Sequence, residues 1–215
     1  MARTVAVLQQ WTERGTTDYA RASFALFLVG FATFSLLYCV QPILPELAAA
    51  FSLNPAESSL SLSLTTGFLA FSIFCSGVLA ESVGRKGIIL FSMLAGAVLN
   101  GVAAFAPTWD MFLLARSCEG IVLGGVPAVA MAYLAEEIHP KDLGYAMGLY
   151  VGGTAFGGMF GRVVVGLLTG FIGWRNAIGA LGAVDFAAAV SFGLTLPPSR
   201  HFIRKEKFDV GYHIG

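Results

Sequence analysis

Gly77-Val-Leu79-Ala-Glu81-Ser-Val-Gly84-Arg85-Lys86-Gly87 is a short charged turn between two apolar runs of membrane-spanning length. A helix crosses a hydrocarbon core of about 30 Å with about 20 mainly apolar residues. Working outward from the turn, the chain divides into six such runs, at 22–44, 58–80, 87–106, 110–134, 145–171 and 176–196. The connections are short, so neighbouring helices are predicted to run antiparallel. Their chemistry is that of turns and caps: Pro42, Pro45 and Asn54-Pro55 after the first run, Pro107-Thr108 before the fourth, His139-Pro140 before the fifth, Pro197-Pro198 after the sixth.

Composition agrees with this division. Apolar residues make up 56% of the chain, charged residues 12%, and glycine occurs 26 times; soluble domains carry roughly 25% charged residues. A soluble bundle would need a polar outer face, which none of the six runs offers. The predicted fold class is therefore an all-α membrane protein of six transmembrane helices at 22–196, with tails at 1–21 and 197–215.

Basic residues fix the expected orientation, because short cytoplasmic loops are enriched in Lys and Arg. Arg3, Arg14, Arg21, Arg85, Lys86, Lys141, Arg200, Arg204, Lys205 and Lys207 fall on one side, and only Arg175 on the other; Arg116 and Arg162 lie within runs. Both termini are thus predicted to be cytoplasmic. The first run follows about twenty polar residues and lacks a small-residue cleavage pattern, so it reads as an uncleaved anchor. Cys39, Cys75 and Cys118 all lie inside runs without metal-type or redox-type spacing and read as small packing residues. His139, His201 and His213 have no partners in the sequence, and nothing implies a metal, a cofactor, a nucleic acid or enzyme chemistry.

The opening turn resembles the loop signature of the major facilitator superfamily, G-x-L-a-D-r-x-G-r-k. Gly77, Leu79, Gly84, Arg85 and Lys86 match, and Glu81 stands where Asp is commoner. The resemblance implies half of a carrier fold: two inverted three-helix repeats, to be joined by a second six-helix half. It further implies that Glu81 and Arg85 belong to a charge network latching the two halves in one access state. Gly77 and Gly84 allow a close, sharp reversal, and Arg85 and Lys86 complement a helix C-terminus; a purely topogenic turn is the simpler reading. Gly166-Leu-Leu168-Thr-Gly-Phe-Ile-Gly173-Trp-Arg175 repeats the spacing of the opening turn on the predicted opposite membrane face.

Two further stretches resemble signatures of the same superfamily. Leu113-Leu-Ala-Arg116-Ser-Cys-Glu119-Gly120 is similar to l-x-x-R-x-x-q-G, with Glu119 in place of Gln. Arg116 and Glu119 are three residues apart and share a helix face. Charge inside hydrocarbon costs at least about 2.5 kcal/mol, so both should face the bundle interior; the resemblance associates the arginine with proton transfer, and a neutralised structural pair is the alternative. Gly148-x3-Gly152-Gly153-Thr154-Ala-Phe-Gly157-Gly158-x2-Gly161-Arg162 resembles the antiporter signature G-P-x-x-G-G, with Thr154 in place of proline. Its glycines form small-x3-small ladders suited to backbone-to-backbone packing, as does Gly120; tight packing alone accounts for them equally well.

Asp185, among Ala, Val and Phe in the sixth run, is an isolated ionisable group and a candidate for proton coupling, with Arg162 as a possible partner; a protonated carboxyl bonded to a neighbouring helix also fits. Tyr38 and Gln41, at the outer end of the first run, are candidate substrate ligands, with an interfacial anchor the other reading for the tyrosine. The likeness covers most of residues 20–200 and is nearest in feel to the drug:proton antiporter branch of bacterial carriers. It implies a multi-pass protein of the cell inner membrane whose partners are the bilayer, a small amphipathic solute, protons, and either a missing C-terminal half or a second copy. The expectation is proton-coupled transport by alternating access, with efflux favoured. A homodimeric half-sized porter and a non-transporting remnant or assembly partner are the alternatives.

Overall fold

The computed structural model describes residues 11–79 and 85–196, and every regular element among them is helical, apart from one isolated bridge between Thr12 and Ile138. The helices are α1 (Thr17–Tyr38), α2 (Leu44–Phe51), α3 (Pro55–Leu79), α4 (Arg85–Ala104), α5 (Trp109–Glu137) and α6 (Pro140–Thr195), with a 3₁₀ turn at Gln41–Ile43 between α1 and α2. Four helical stretches are long and apolar enough to cross a membrane: Thr17–Phe51, Arg85–Ala104, Trp109–Glu137 and Pro140–Thr195. Glu81, Gly84, Pro197-Pro198 and both chain ends lie outside the described residues.

Helix starts follow local chemistry. Thr16 accepts from the Tyr19 amide and Thr108 from the Met111 amide. Asn54 and Glu57 form a reciprocal capping box, with the Glu57 amide donating to Asn54 Oδ1 at 2.9 Å and the Asn54 amide to Glu57 Oε2 at 2.8 Å. Pro42 and Pro45 do not mark the end of the helical path, as the sequence suggested. Each sits in the first turn of a short further helix, where a missing N–H costs nothing. Pro127 lies inside α5 and leaves the Leu123 carbonyl without its usual backbone donor.

The serine-rich α3 tolerates apolar surroundings because its hydroxyls bond their own helix. Ser58, Ser59, Ser61, Ser63, Thr65 and Thr66 donate to carbonyls three or four residues back at 2.7 to 3.1 Å.

Helix α6 is 56 residues long, about 84 Å if straight and well beyond a bilayer's thickness. It is not straight. Gly173 has φ 77 and ψ 156, a region open essentially to glycine alone. Both Gly161 and Asp185 meet Ser35 of α1, so the chain reverses at Gly173 and the arms 140–172 and 174–195 lie side by side. Arg175, just past the reversal, donates to the Ala104 and Ala106 carbonyls at 3.0 and 2.8 Å, closing the C-terminal end of α4 with a cation.

Relative directions follow from close approaches. A Cβ placed on Gly153, Gly157 or Gly161 would lie 2.4, 2.1 or 2.5 Å from the carbonyl oxygens of Phe27, Phe31 and Ser35, so the first arm of α6 runs parallel to α1 in fixed four-residue register. Gly120 and Gly124 meet Thr65 and Leu69 in the same way, placing α5 parallel to α3. Gly96 packs on Leu123, and Arg85 pairs with Glu136, so α4 and α5 are antiparallel. Gly182 lies against Asn100, and Gly193 against Leu90, so the second arm of α6 is antiparallel to α4. No break occurs at the glycine-rich signature itself; among the described residues of α6, Gly173 is the one with non-helical backbone.

Candidate functional site

Among the described residues, three polar clusters stand out in this apolar frame. The first is buried at the meeting of α1, α4, α5 and the second arm of α6. Arg116 and Glu119 have no exposed surface and pair at 2.7 Å, as their spacing predicts. Arg116 also donates to the carbonyls of Leu36 and Leu37 at 3.1 and 3.0 Å. These carbonyls are available because the α1 helix ends at Tyr38 and its last turn lacks intrahelical donors. One oxygen of Glu119 and Nε of Arg116 have no hydrogen-bond partner.

Asp185, fully buried, does not pair with Arg162. Its partner is Ser35, whose Oγ lies 2.8 and 2.7 Å from the two carboxyl oxygens and 3.1 Å from the Ala32 carbonyl. A serine has one proton to give, so it donates to one of these acceptors at a time. Cys39 packs in the apolar core, as the sequence reading has it, and also touches polar groups. Its Sγ stands 3.1 Å from Leu36 O, 3.6 Å from Asn100 Oδ1 and 3.9 Å from Arg116 Nη1. Asn100 is fully buried and anchors through Nδ2 to the Ile178 carbonyl at 3.0 Å.

The second cluster assembles Arg162 with Tyr38 and Gln41. The guanidinium carbon lies 4.2 Å from the Tyr38 ring centroid, Nε donates to Gln41 Oε1, and Nη1 donates to Gly158 O at 3.2 Å. The residue expected to serve protons therefore stands with the two expected to serve a solute. The third cluster is an ion pair between Arg85 and Glu136, at the ends of α4 and α5, beside Lys86, which donates to Leu196 O. The adjoining turn carries the N-terminal segment: the Thr12 amide donates to Glu137 O at 2.9 Å, the Arg14 amide to Asp142 Oδ2 at 2.9 Å, and the Arg14 guanidinium covers the Tyr145 ring.

The glycines predicted to pack helices divide. Gly120, Gly153, Gly157 and Gly161 make backbone contacts, and Gly158 faces Tyr38; Gly148 and Gly152 would have nothing within 4 Å of an added Cβ and lie on an open face.

Residues 26–210 match the family model described as Major Facilitator Superfamily. The chain belongs to this superfamily. Among its relatives, an uncharacterized MFS-type transporter of Bacillus subtilis, YybF, is 47% identical over 89% of this chain and 48% of its own length. The inner membrane transport protein YnfM of Escherichia coli is 44% identical over 90% of this chain and 46% of its own length. The chain thus spans about half the length of the curated relatives it matches. Solved structures of the superfamily fold superpose well. A bacterial homologue of the human lysosomal transporter Spinster, inward-facing and unoccupied, has a TM-score of 0.74 at 19% identity over 92% of this chain and 47% of its own. The POT family transporter PepTSo has a TM-score of 0.75 at 18% identity over 88% of this chain and 40% of its own. These neighbours show the fold alone.

Within that fold, the sequence pointed to Arg116, Glu119 and Asp185 but missed Ser35, Cys39, Asn100 and Glu136. A lone serine, cysteine or asparagine among apolar residues carries no periodic signal. Asn100, an amide inside an otherwise apolar run, was the legible hint.

Proposed function

We propose that this chain is the N-terminal half of a secondary transporter of the cell inner membrane, moving a small amphipathic solute by proton-coupled alternating access, with efflux as the favoured direction. Its six long helical segments, α1, α3, α4, α5 and the two arms of α6, cross the bilayer as two inverted three-helix units, with tails 1–21 and 197–215 in the cytoplasm. The alternating directions of the segments support this topology. So does the ten-to-one distribution of basic residues outside the spans. The parallel glycine-mediated pairs α1 with the first arm of α6, and α5 with α3, support the inverted repeat.

One observation carries the proton coupling: the buried cluster holds two carboxyls, Glu119 paired with Arg116 and Asp185 bonded to Ser35, and one buried cation, Arg116. The cluster is charge-balanced with one proton bound and anionic with none. In hydrocarbon surroundings, that difference is a strong bias on which helix arrangement persists. Asp185 lies on the second arm of α6 and Ser35 on α1, so gain or loss of a proton bears directly on how these helices meet.

Glu81, Arg85, Lys86 and Glu136 form the proposed cytoplasmic latch, together with the hinge glycines Gly77 and Gly84. A second six-helix unit completes the path. The open face bearing Gly148 and Gly152 also keeps a second copy of this chain as the other arrangement; cross-linking of Gly152→Cys in membranes distinguishes them, since a homodimer yields a covalent dimer of this chain.

The test is pH-gradient-driven flux in proteoliposomes with a mixed panel of lipophilic cations, anions and neutral solutes, with Glu119→Gln and Asp185→Asn alongside. Gradient-driven flux lost in either variant supports the reading. Flux indifferent to both removes the proton role, and no flux from folded, inserted protein removes the porter that works alone or as a homodimer and leaves the half-transporter and remnant readings.

A further inference from the structure

We infer that the solute is an organic carboxylate, held head-first on Arg162. This rests on the transport reading above and narrows its substrate class from amphipath to anion.

Arg162 lies within the first arm of α6, where a charge is costly unless it is countered. Arg116 and Arg85 each have a carboxylate partner; Arg162 has none among the described residues. Its three partners are neutral. Gln41 takes Nε, the Gly158 carbonyl takes Nη1, and Tyr38 covers one face of the guanidinium at 4.2 Å. These contacts hold the plane of the group in place without cancelling its charge. They leave Nη2 unengaged at a position that is partly exposed.

A fixed, uncancelled guanidinium with a free edge is the geometry that takes a carboxylate through two parallel N–H···O bonds. An ammonium or other cation would meet repulsion at the same place. Beyond Tyr38, its ring 6.0 Å from that of Phe34, the same side of the bundle continues into Phe31, Phe156 and Phe160, with ring centroids 5.1 to 6.2 Å apart. Phe156 is 46% exposed. An anionic head on Arg162 with an aromatic or apolar body along these rings satisfies both halves of the surface.

The probe is radiolabelled benzoate, measured by equilibrium binding to the chain in proteoliposomes, with benzamide and benzylammonium as neutral and cationic competitors. Benzoate should bind in preference to both competitors. Arg162→Gln should weaken it by about tenfold or more, the scale of losing a charge-assisted bond. Arg162→Lys should recover part of the affinity, because charge returns without the fork. A monodisperse elution profile and an unchanged melting temperature show that the variants are folded. Benzoate binding that is equal to benzamide, that is displaced best by benzylammonium, or that is unchanged in both Arg162 variants overturns the inference. Because binding is read without flux, the two claims fail separately. Arg162-dependent benzoate binding with no solute movement, even beside a second six-helix unit, leaves the anion site and removes transport; proton-driven movement of solutes with no Arg162-dependent benzoate binding leaves transport and removes the carboxylate.

Discussion

At the scale of single residues, the buried cluster sets the largest energetic stake. Removing Glu119 by Glu119→Leu leaves Arg116 uncompensated with no exposed surface, a change of the class that costs about 3–5 kcal/mol; Glu119→Gln keeps a hydrogen-bond acceptor for Arg116 and should fold. Thermal unfolding in detergent should therefore drop more for Glu119→Leu than for Glu119→Gln, and equal drops would refute a stabilising role for the hydrogen bond that Arg116 donates at this position. Ser35→Ala removes the hydroxyl that bonds Asp185 and should shift the pH profile of transport while leaving expression near normal. An unshifted profile would mean that Ser35 does not respond to the state of Asp185. The Arg116–Glu119 pair was legible because a three-residue spacing puts two charges on one face. Ser35 was not, because a serine in a helix ordinarily bonds its own backbone, and only the approach of α6 gives it a second acceptor.

At the scale of elements, glycine positions that look alike in sequence have opposite roles. A Cβ on Gly157 would lie 2.1 Å from the Phe31 backbone, whereas one on Gly148 would meet nothing within 4 Å. Gly157→Ala should force α1 and the first arm of α6 apart at a cost of about 1–3 kcal/mol, and Gly148→Ala should stay within about 0.5 kcal/mol in the isolated chain. Melting curves of the two variants check this, and equal losses would contradict the four-residue register between the two helices. Gly173→Ala forces an L-residue into a backbone region that costs about 1–3 kcal/mol, so it should lower the melting temperature although nothing crowds its Cβ. The reversal at Gly173 was foreshadowed by the repeated glycine spacing around it. The continuation through α2 was not, because prolines that stop a helix from inside are harmless in its first turn. Arg175 was legible as the basic residue of the repeated turn, but the carbonyls it closes were not, since they belong to a distant helix end.

At the scale of the whole molecule, the chain presents a well-packed interior and large exposed apolar side chains, among them Phe71 and Phe74 on α3 and Phe171 on α6. In water these would be a liability; against lipid or a second helical unit they are not. The hydrophobic runs and the basic asymmetry made the class of fold legible in the sequence alone. Which faces meet lipid and which meet another unit was not legible there, because both are apolar and differ only in shape. Function at this scale is proposed to turn on the buried carboxyls Glu119, paired with Arg116, and Asp185, bonded to Ser35, exchanging a proton for solute movement. The most direct measurement is solute-induced proton movement in proteoliposomes holding this chain with a second six-helix unit, followed with a trapped pH dye, beside solute counterflow, which needs no net proton transfer. Asp185→Asn should abolish the proton signal and retain counterflow. Proton movement that persists in Asp185→Asn, or counterflow lost together with it, would contradict the account.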